Sequence, residues 1–188
     1  MRSFIDRTKN SPPPILYQMS KVLLYGKKGR CLSLGSGAGN AEIDLIKKKW
    51  SVDAVDIEKY SHVVMLEKTK SKKLKFIHSS FDELKLTKKY NLIMAINSIP
   101  FMKKKNIPEL FIKFRRHSHK KCIYIMTFFG KKHSFIKPIN KKSPFGMSVS
   151  GVSKLFETYK IKILFIEENY HNRPDGVLFN VINVIGTT

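Results

Sequence analysis

Residues 31–40 read Cys31-Leu32-Ser33-Leu34-Gly35-Ser36-Gly37-Ala38-Gly39-Asn40. A short apolar strand here runs into three glycines at alternate positions, and a helical pattern follows. Glycines in this arrangement let the backbone turn sharply and lie against a ligand, because no Cβ is in the way. The helix that follows offers free N–H groups at its amino end to a polar ligand. The segment therefore predicts the first strand, turn and helix of a nucleoside-binding sheet.

A carboxylate stands at the matching place in the next strand. Asp56 ends the apolar run Val52-Asp53-Ala54-Val55, twenty-one residues after Gly35. In a βαβ unit, an acid in this position lies beside the ribose hydroxyls of a bound nucleoside. We therefore expect Asp56 to bind the ribose of a nucleoside cofactor.

The glycine spacing distinguishes between cofactors. The dinucleotide fingerprint is G-x-G-x-x-G, whereas this chain has G-x-G-x-G, with Asn40 in place of the third glycine of that fingerprint. A phosphate-binding loop is excluded too, since no Gly-Lys-Ser/Thr follows. A purely structural turn and an NAD site are the alternatives that remain.

The compact G-x-G-x-G after a strand, with an acid ending the next strand, resembles motif I of the class I S-adenosylmethionine-dependent methyltransferases. Pro100-Phe101, Phe128-Phe129-Gly130 and Glu167-Glu168 look closest to small bacterial methyltransferases of the tellurite-resistance type. The later segments follow this family in order, as its third strand and adenine loop, fourth strand and substrate loop, fifth strand and closing hairpin: 76–84, 90–101, 123–130, and 165–168 with 179–185.

The resemblance implies S-adenosyl-L-methionine as the cofactor. It also implies the cofactor-binding residues, which are Leu34, Gly35, Ser36, Gly37, Gly39, Asn40, Asp56, Ile57, Ser80, Phe81 and Asn97. Two positions depart from the family pattern. Ser33 stands where the motif usually begins with an acid, and Ser80 stands where the adenine loop usually has an Asp. A serine accepts a hydrogen bond without the charge assistance of a carboxylate.

Apolar runs alternate with helical patterns along the chain. Such alternation predicts a doubly wound α/β fold, with a mostly parallel, seven-stranded Rossmann-like sheet, an antiparallel last strand and helices on both faces. Strands are expected near 30–34, 52–56, 74–78, 91–96 and 121–128, and helices near 40–49, 60–70 and 106–117.

The amino-terminal part is expected to differ from the rest. Residues 1–12 look like a flexible polar arm, and residues 13–188 like a single methyltransferase domain. Within that domain, residues 13–27 would form a lid helix whose apolar face carries Ile15, Met19, Val22 and Leu23. Tyr17 would be its lid residue over the cofactor, unless it is an ordinary half-buried aromatic side chain.

No catalytic residue is identified by pattern. Ligands of such sheets bind at the carboxyl ends of the strands, so the methyl acceptor is expected near 97–101, Phe129 and the loop 131–147. A soft anionic acceptor needs no general base, and the candidates are therefore His133 as a proton acceptor, Tyr17 and Asn97. No metal-ligand spacing is present.

The composition bounds the cellular context and the partners. The 188 residues have a net charge of +22, with thirty lysines and six arginines. Such a charge would attract nucleic acid, although lysines that simply cover exposed helix faces explain it as well. No apolar run approaches the roughly 20 residues of a membrane span, and no secretion signal is recognised. A cytoplasmic protein is expected, with delivery into another cell left open and the oligomeric state undetermined.

Three functions are compatible with these patterns. The first is a methyltransferase for a small-molecule acceptor such as a soft anion, a thiol or a small metabolite. The second is an RNA methyltransferase that uses the basic surface. An amino-methylating enzyme would have Asn/Asp-Pro-Pro-aromatic here, whereas residues 97–101 are one residue longer and lack the first proline. The third is a non-catalytic cofactor-binding relative, suggested by Ser33 and Ser80.

Overall fold

The computed structural model of the protein describes residues 2–136, 144–172 and 176–188. The strands are β1 (Arg30–Leu34), β2 (Ser51–Asp56), β3 (Leu74–His78), β4 (Tyr90–Ala95), β5 (Ser118–Gly130), β6 (Gly146–Met147), β7 (Lys162–Asn172) and β8 (Leu178–Thr187). The helices are α1 (Arg2–Thr8), α2 (Ile15–Leu24), α3 (Asn40–Lys47), α4 (Lys59–Lys68), α5 (Ile107–Arg116) and α6 (Val149–Thr158).

One sheet holds the described strands together, in the order β3-β2-β1-β4-β5-β8-β7. β1 to β5 pair in parallel, whereas β8 runs antiparallel between β5 and β7. This confirms the predicted α/β fold with an antiparallel last strand. The short β6 pairs with the end of β5 and was not predicted.

The chain reverses direction across the sheet at β1. β2 and β3 lie on one side of β1, while β4 and β5 lie on the other. Ligands of open α/β sheets bind outside the carboxyl ends of the strands at such a reversal. The crevice between the ends of β1 and β4 is therefore the place to look for a site.

Buried apolar residues cover both faces of the sheet. One cluster packs Phe111 and Phe114 of α5 with Phe156 of α6, and the other packs α2 and α3 around Leu45 and Trp50. Strands that are buried on both faces consist of nearly continuous apolar runs, which is why the parallel strands were recognisable in the sequence.

The amino-terminal segment Arg2–Thr8 forms helix α1, within the residues 1–12 for which the sequence predicts a flexible arm. Ile5 is buried and packs against Ala38 and Val64. A helix this short is not stable by its own propensity, and its order comes from packing against the rest of the molecule.

Helix α2 turns a different face to the core than its apolar pattern predicts. Its buried side chains are Leu16, Tyr17, Ser20 and Leu24. Ile15, Met19 and Val22 of the predicted face are exposed instead. Helix α2 is too short for a membrane span, and so is every other helix within the three described ranges.

Candidate functional site

The three glycines of the first βα turn all have positive φ angles, at +68° for Gly35, +53° for Gly37 and +73° for Gly39. Two of them are also packed tightly. A Cβ at Gly35 would lie 2.4 Å from the Cβ of Ser98, and one at Gly39 would lie 2.3 Å from the Cγ of Met65. Only glycine fits both the backbone conformation and the space at these two positions.

Gly37 differs because it borders open space. A Cβ at this position would have no described atom within 4 Å. The neighbouring Ser36 hydroxyl is buried and has no hydrogen-bond partner in the described part of the chain. A free face of backbone beside an unpaired hydroxyl fits a ligand that lies against the loop.

Asp56 connects the loop with the end of β2. Its Oδ2 accepts a hydrogen bond of 2.8 Å from the N–H of Gly37, and its Oδ1 accepts one of 2.9 Å from the N–H of Glu58. The side chain is 7% exposed. Because each carboxylate oxygen can accept a second hydrogen bond, ribose hydroxyls could still bind there. The ribose contact stays a prediction.

A second carboxylate lies beneath the loop and was missed by the sequence reasoning. Glu42, in the first turn of α3, is 4% exposed and accepts a short hydrogen bond from the hydroxyl of Ser33. Burial raises the pKa of Glu42, and the Ser33 hydrogen bond opposes that shift. Its helical spacing to Leu45 and Ile46, both apolar, was the signal that Glu42 faces inward.

Asn40 ties the loop to two helices. Its Nδ2 donates to the carbonyl oxygen of Thr8 at 2.8 Å, and its Oδ1 accepts from Nζ of Lys68 at 2.5 Å. The same Nζ donates to the carbonyl oxygen of Ala38 at 2.7 Å. Asn40, predicted as a cofactor ligand, thus uses its side chain to hold α1 and α4 against the loop.

The end of β4 closes the other side of the crevice. The Ser98 hydroxyl donates to the carbonyl oxygen of Leu34 at 2.8 Å, and Phe81 reaches the same place, 3.7 Å from where a Cβ of Gly35 would be. Asn97 is exposed with a φ of +54°, a conformation that asparagine tolerates better than most residues. The structure thus brings several predicted cofactor residues together.

The adenine side of the predicted site is less complete. Ile57 is exposed beside Asp56, where an apolar side chain could cover a ring. The Ser80 hydroxyl is engaged within its own turn, donating to Oε2 of Glu83 at 2.9 Å. Oδ1 of Asp82 accepts from Nδ2 of Asn106 at 2.9 Å. The contact of Ser80 with the adenine stays a prediction, and it requires the turn to exchange this local bond.

Tyr17 does not act as a lid in this structure. Its side chain is 0% exposed, and its hydroxyl donates to Oδ2 of Asp44 at 2.6 Å. Burial and the neighbouring carboxylate raise the pKa of this phenol well above its usual range. The half-buried alternative is therefore wrong, because Tyr17 is a core residue whose polar end is satisfied by Asp44. A lid role over bound cofactor stays a prediction.

His133 lies among aromatic side chains after β5. Its ring stacks on Phe129 at a centroid distance of 3.7 Å and also contacts Phe135 and Phe179. Its Nδ1 accepts a hydrogen bond from the N–H of Phe135 at 3.1 Å, which assigns the proton of the neutral ring to Nε2. That Nε2 is buried, with no hydrogen-bond partner among the described residues. In this tautomer Nε2 is a hydrogen-bond donor, and the role of His133 as a proton acceptor stays a prediction.

Replacing His133 by phenylalanine removes an unpaired buried Nε2–H but also the Nδ1 acceptor of the Phe135 N–H. Because these two effects oppose each other, the free energy of unfolding at pH 7.5 is expected to change by less than about 1 kcal/mol. Burial lowers the pKa of His133, so protonation favours the unfolded chain. The native protein should therefore lose stability as the pH falls below about 6.5, and His133→Phe should lose less. Urea unfolding at pH 7.5 and 5.5 measures both effects.

His119→Gln, which removes an exposed histidine, is the matched control for this experiment. A His133→Phe variant that loses as much stability between pH 7.5 and 5.5 as the native protein would contradict the assigned role of His133 in this pH dependence.

The strand order, the glycine loop and the acid that ends β2 are those of the fold of class I S-adenosylmethionine-dependent methyltransferases. Within this class, residues 17–130 match the family model described as tellurite resistance protein TehB. The chain belongs to the TehB family. This confirms the family that the sequence motifs suggest. A comparison with curated proteins finds no match.

Solved structures share the fold at low sequence identity. TehB from Haemophilus influenzae superposes with a TM-score of 0.76 and 12% identity, over 93% of this chain and 61% of that one. The present chain thus spans about three fifths of that protein. NodS is an N-methyltransferase from Bradyrhizobium japonicum that was solved with S-adenosyl-L-homocysteine. It superposes with a TM-score of 0.73 and 8% identity, over 99% of this chain and 97% of that one. A third structure is the 1,6-didemethyltoxoflavin-N1-methyltransferase from Burkholderia thailandensis, with bound 1,6-didemethyltoxoflavin and S-adenosylhomocysteine. It superposes with a TM-score of 0.73 and 10% identity, over 98% of this chain and 80% of that one.

Proposed function

We propose that the protein transfers a methyl group from S-adenosylmethionine to a small-molecule acceptor in the crevice between β1 and β4. The observation that carries this proposal is the free face of the glycine loop at Gly37, with the Asp56 carboxylate beside it. The presence of S-adenosylhomocysteine in two proteins of the same fold supports the choice of cofactor.

The residues around the crevice fit this cofactor. The loop from Gly35 to Gly39 would lie against its amino-acid part, Asp56 would accept from the ribose hydroxyls, and Ile57 with Phe81 would border the adenine. When bound, the cofactor supplies a methyl group on a sulfonium, and transfer joins that carbon to the acceptor while the electron pair of the broken bond returns to sulfur. The chain's own contribution is to align the two reactants and to exclude water.

The acceptor side of the crevice is aromatic. Phe101, after β4, is 59% exposed and meets Phe129 edge to face at a centroid distance of 5.5 Å. His133 stacks on the ring of Phe129, and its Nε2–H is the hydrogen-bond donor described above. An acceptor with an apolar body and one atom that accepts a hydrogen bond fits these groups. The rest of the predicted acceptor loop, residues 137–143, lies outside the described residues.

The positions of the lysine pairs weigh against RNA as the acceptor. Lys-Lys pairs at 27–28, 48–49, 72–73, 88–89 and 120–121 come at or just before the paired parts of β1 to β5. The amino ends of parallel strands meet at one edge of a sheet, opposite the crevice. A polyanion bound along these lysines would be held away from the methyl group. On the crevice side, the described residues include the basic side chains of Lys68, Lys103 to Lys105, and Lys131 with Lys132.

Calorimetry with S-adenosylmethionine and S-adenosylhomocysteine tests the cofactor, and we expect binding of both. No binding at millimolar ligand would contradict the proposal. Transfer of labelled methyl to panels of thiols, oxyanions, amines and bulk RNA then tests the acceptor, and we expect product with a small molecule. Product with RNA alone would favour the RNA methyltransferase, and cofactor binding with no product in any panel would favour the non-catalytic relative.

A further inference from the structure

The glycine loop has two positive features that would suit a phosphate. Helix α3 begins at Asn40 and directs the positive end of its dipole and its free N–H groups at the loop. The ammonium of Lys68 is fixed at the carbonyl oxygen of Ala38, within the loop itself. These features alone would favour an anion such as pyrophosphate. Tight binding of a cationic adenosyl ligand would therefore require a negatively charged group close to the loop.

Glu42 places a buried carboxyl group close to the same loop. Its carboxylate lies between the first turn of α3 and the end of β1, where it accepts from the hydroxyl of Ser33, two residues before Gly35. None of the ion pairs among the described residues involves Glu42. Since Glu42 is almost wholly buried, water screens its field weakly, and the field reaches the loop above it.

We propose that Glu42 supplies the negative charge that makes this glycine loop bind a cationic adenosyl ligand in preference to a phosphate. The inference rests on the proposed function and names the residue that sets the ligand class of that site. Ser33 is the positioning partner, because its hydroxyl fixes the carboxylate against β1. In this chain the acid comes from the helix, while the strand position where the motif usually has its acid carries a hydroxyl.

The stability of the fold does not explain this carboxylate. Taking a carboxylate out of water without a cation at ion-pair distance is unfavourable, and a hydroxyl contact repays only part of the cost. An apolar side chain at residue 42 would pack against Ala41 and Leu45 at no such cost. A buried charge that the fold does not need is expected where a ligand of opposite charge binds.

Other charged or titratable groups also face Glu42. They come from every element packed around it: Cys31 and Ser33 of β1, Asp56 of β2, Tyr17 of α2 and Lys68 of α4. Burial raises the pKa of Glu42, so its charge is lost at a higher pH than that of an exposed glutamate. The preference for a cationic ligand should therefore weaken as the pH falls.

Three ligands that share the adenosyl group test the proposal with the native protein and Glu42→Gln. S-adenosylmethionine has a sulfonium, an ammonium and a carboxylate, S-adenosylhomocysteine has the ammonium and the carboxylate, and 5′-methylthioadenosine has none of these charges. By calorimetry we expect Glu42→Gln to weaken the binding of S-adenosylmethionine by about 10-fold and that of S-adenosylhomocysteine by less. The affinity for 5′-methylthioadenosine should fall by less than about 2-fold. Glutamine keeps the size of the side chain and an oxygen that can accept from Ser33.

Two further variants make the result interpretable. Glu109→Gln removes an exposed carboxylate of α5 outside the crevice and should leave all three affinities unchanged. The exchange Ser33→Asp with Glu42→Ser places the carboxylate on the strand instead, and it should restore the discrimination even if Glu42→Gln folds poorly.

Equal losses for all three ligands in Glu42→Gln, or no loss for any, would overturn the inference while leaving the proposed function in place. If the native protein binds neither S-adenosylmethionine nor S-adenosylhomocysteine, the proposed function itself has failed. Recovery of the discrimination in the exchange variant supports the inference, and equal losses in that variant count against it.

Discussion

Asp56→Ala is expected to weaken the binding of S-adenosylmethionine by about 10- to 100-fold, because a hydrogen bond to a charged group contributes about 1.5–3 kcal/mol. The variant loses the acceptor for the ribose hydroxyls and also releases the N–H groups of Gly37 and Glu58. The loop should therefore become less well ordered, and it should also bind the ribose more weakly. Isothermal calorimetry with the native protein and the variant measures the change in affinity.

The same strand provides a matched control. Asp53 of β2 is also buried, but its carboxylate accepts from the Tyr90 hydroxyl at 2.9 Å and from Nη1 of Arg30 at 3.2 Å, away from the loop. Asp53→Ala should reduce stability and leave the affinity nearly unchanged, with Asp53→Asn as a milder substitute if needed. An Asp56→Ala variant that binds the cofactor normally would contradict the ribose assignment.

Gly37→Ala is expected to reduce cofactor affinity by about 10- to 100-fold, because its methyl group would enter the space against which the ligand should lie. The positive φ of +53° adds about 1–2 kcal/mol of backbone strain. The two effects must be separated, so the measurement combines calorimetry with thermal unfolding of the same samples.

Gly26 allows that separation. It follows α2, has a φ of +66°, and a Cβ there would likewise have no described atom within 4 Å. Gly26→Ala should therefore be destabilised about as much as Gly37→Ala but bind the cofactor normally. Equal affinities in the two variants would show that the open space beside Gly37 is not the cofactor site.

The central strands β1, β2 and β4 could be predicted because they are short and almost wholly buried, and the edge strand β3 could be predicted although it is only partly buried. The bounds of β1 and β3 match the sequence expectation, and those of β2 and β4 differ by one residue at an end or at both. The alternation with helices then determines the parallel pairing. Helix α1 and the buried face of α2 were not predicted, because tertiary contacts decide both. Ile5 finds a partner in Ala38, and Tyr17 finds one in Asp44, and neither contact has a local sequence signal.

The candidate site could be predicted in part for a similar reason. The positions of the loop and of Asp56 follow from the βαβ connection, which is a local feature. Asn40 bonds to Thr8 in a distant part of the chain, whereas the Ser80 and His133 side chains bond within their own turns. No motif indicated these partners, and the predicted roles of the three residues stay predictions. The hydrogen bonds from Ser33 to Glu42 and from Ser98 to Leu34 join separate elements. A single sequence shows which polar residues are present, but it does not show which of them are in contact.

Helix α1 and the glycine loop share their stabilising contacts. The carbonyl oxygen of Thr8 accepts from Asn40, and Ile5 packs on Ala38 between the second and third glycines. We therefore expect local opening of α1 to be coupled to loosening of the loop. A ligand that rigidifies the loop should then also stabilise helix α1. If α1 is frayed before binding, the free energy of ordering it makes the observed binding weaker.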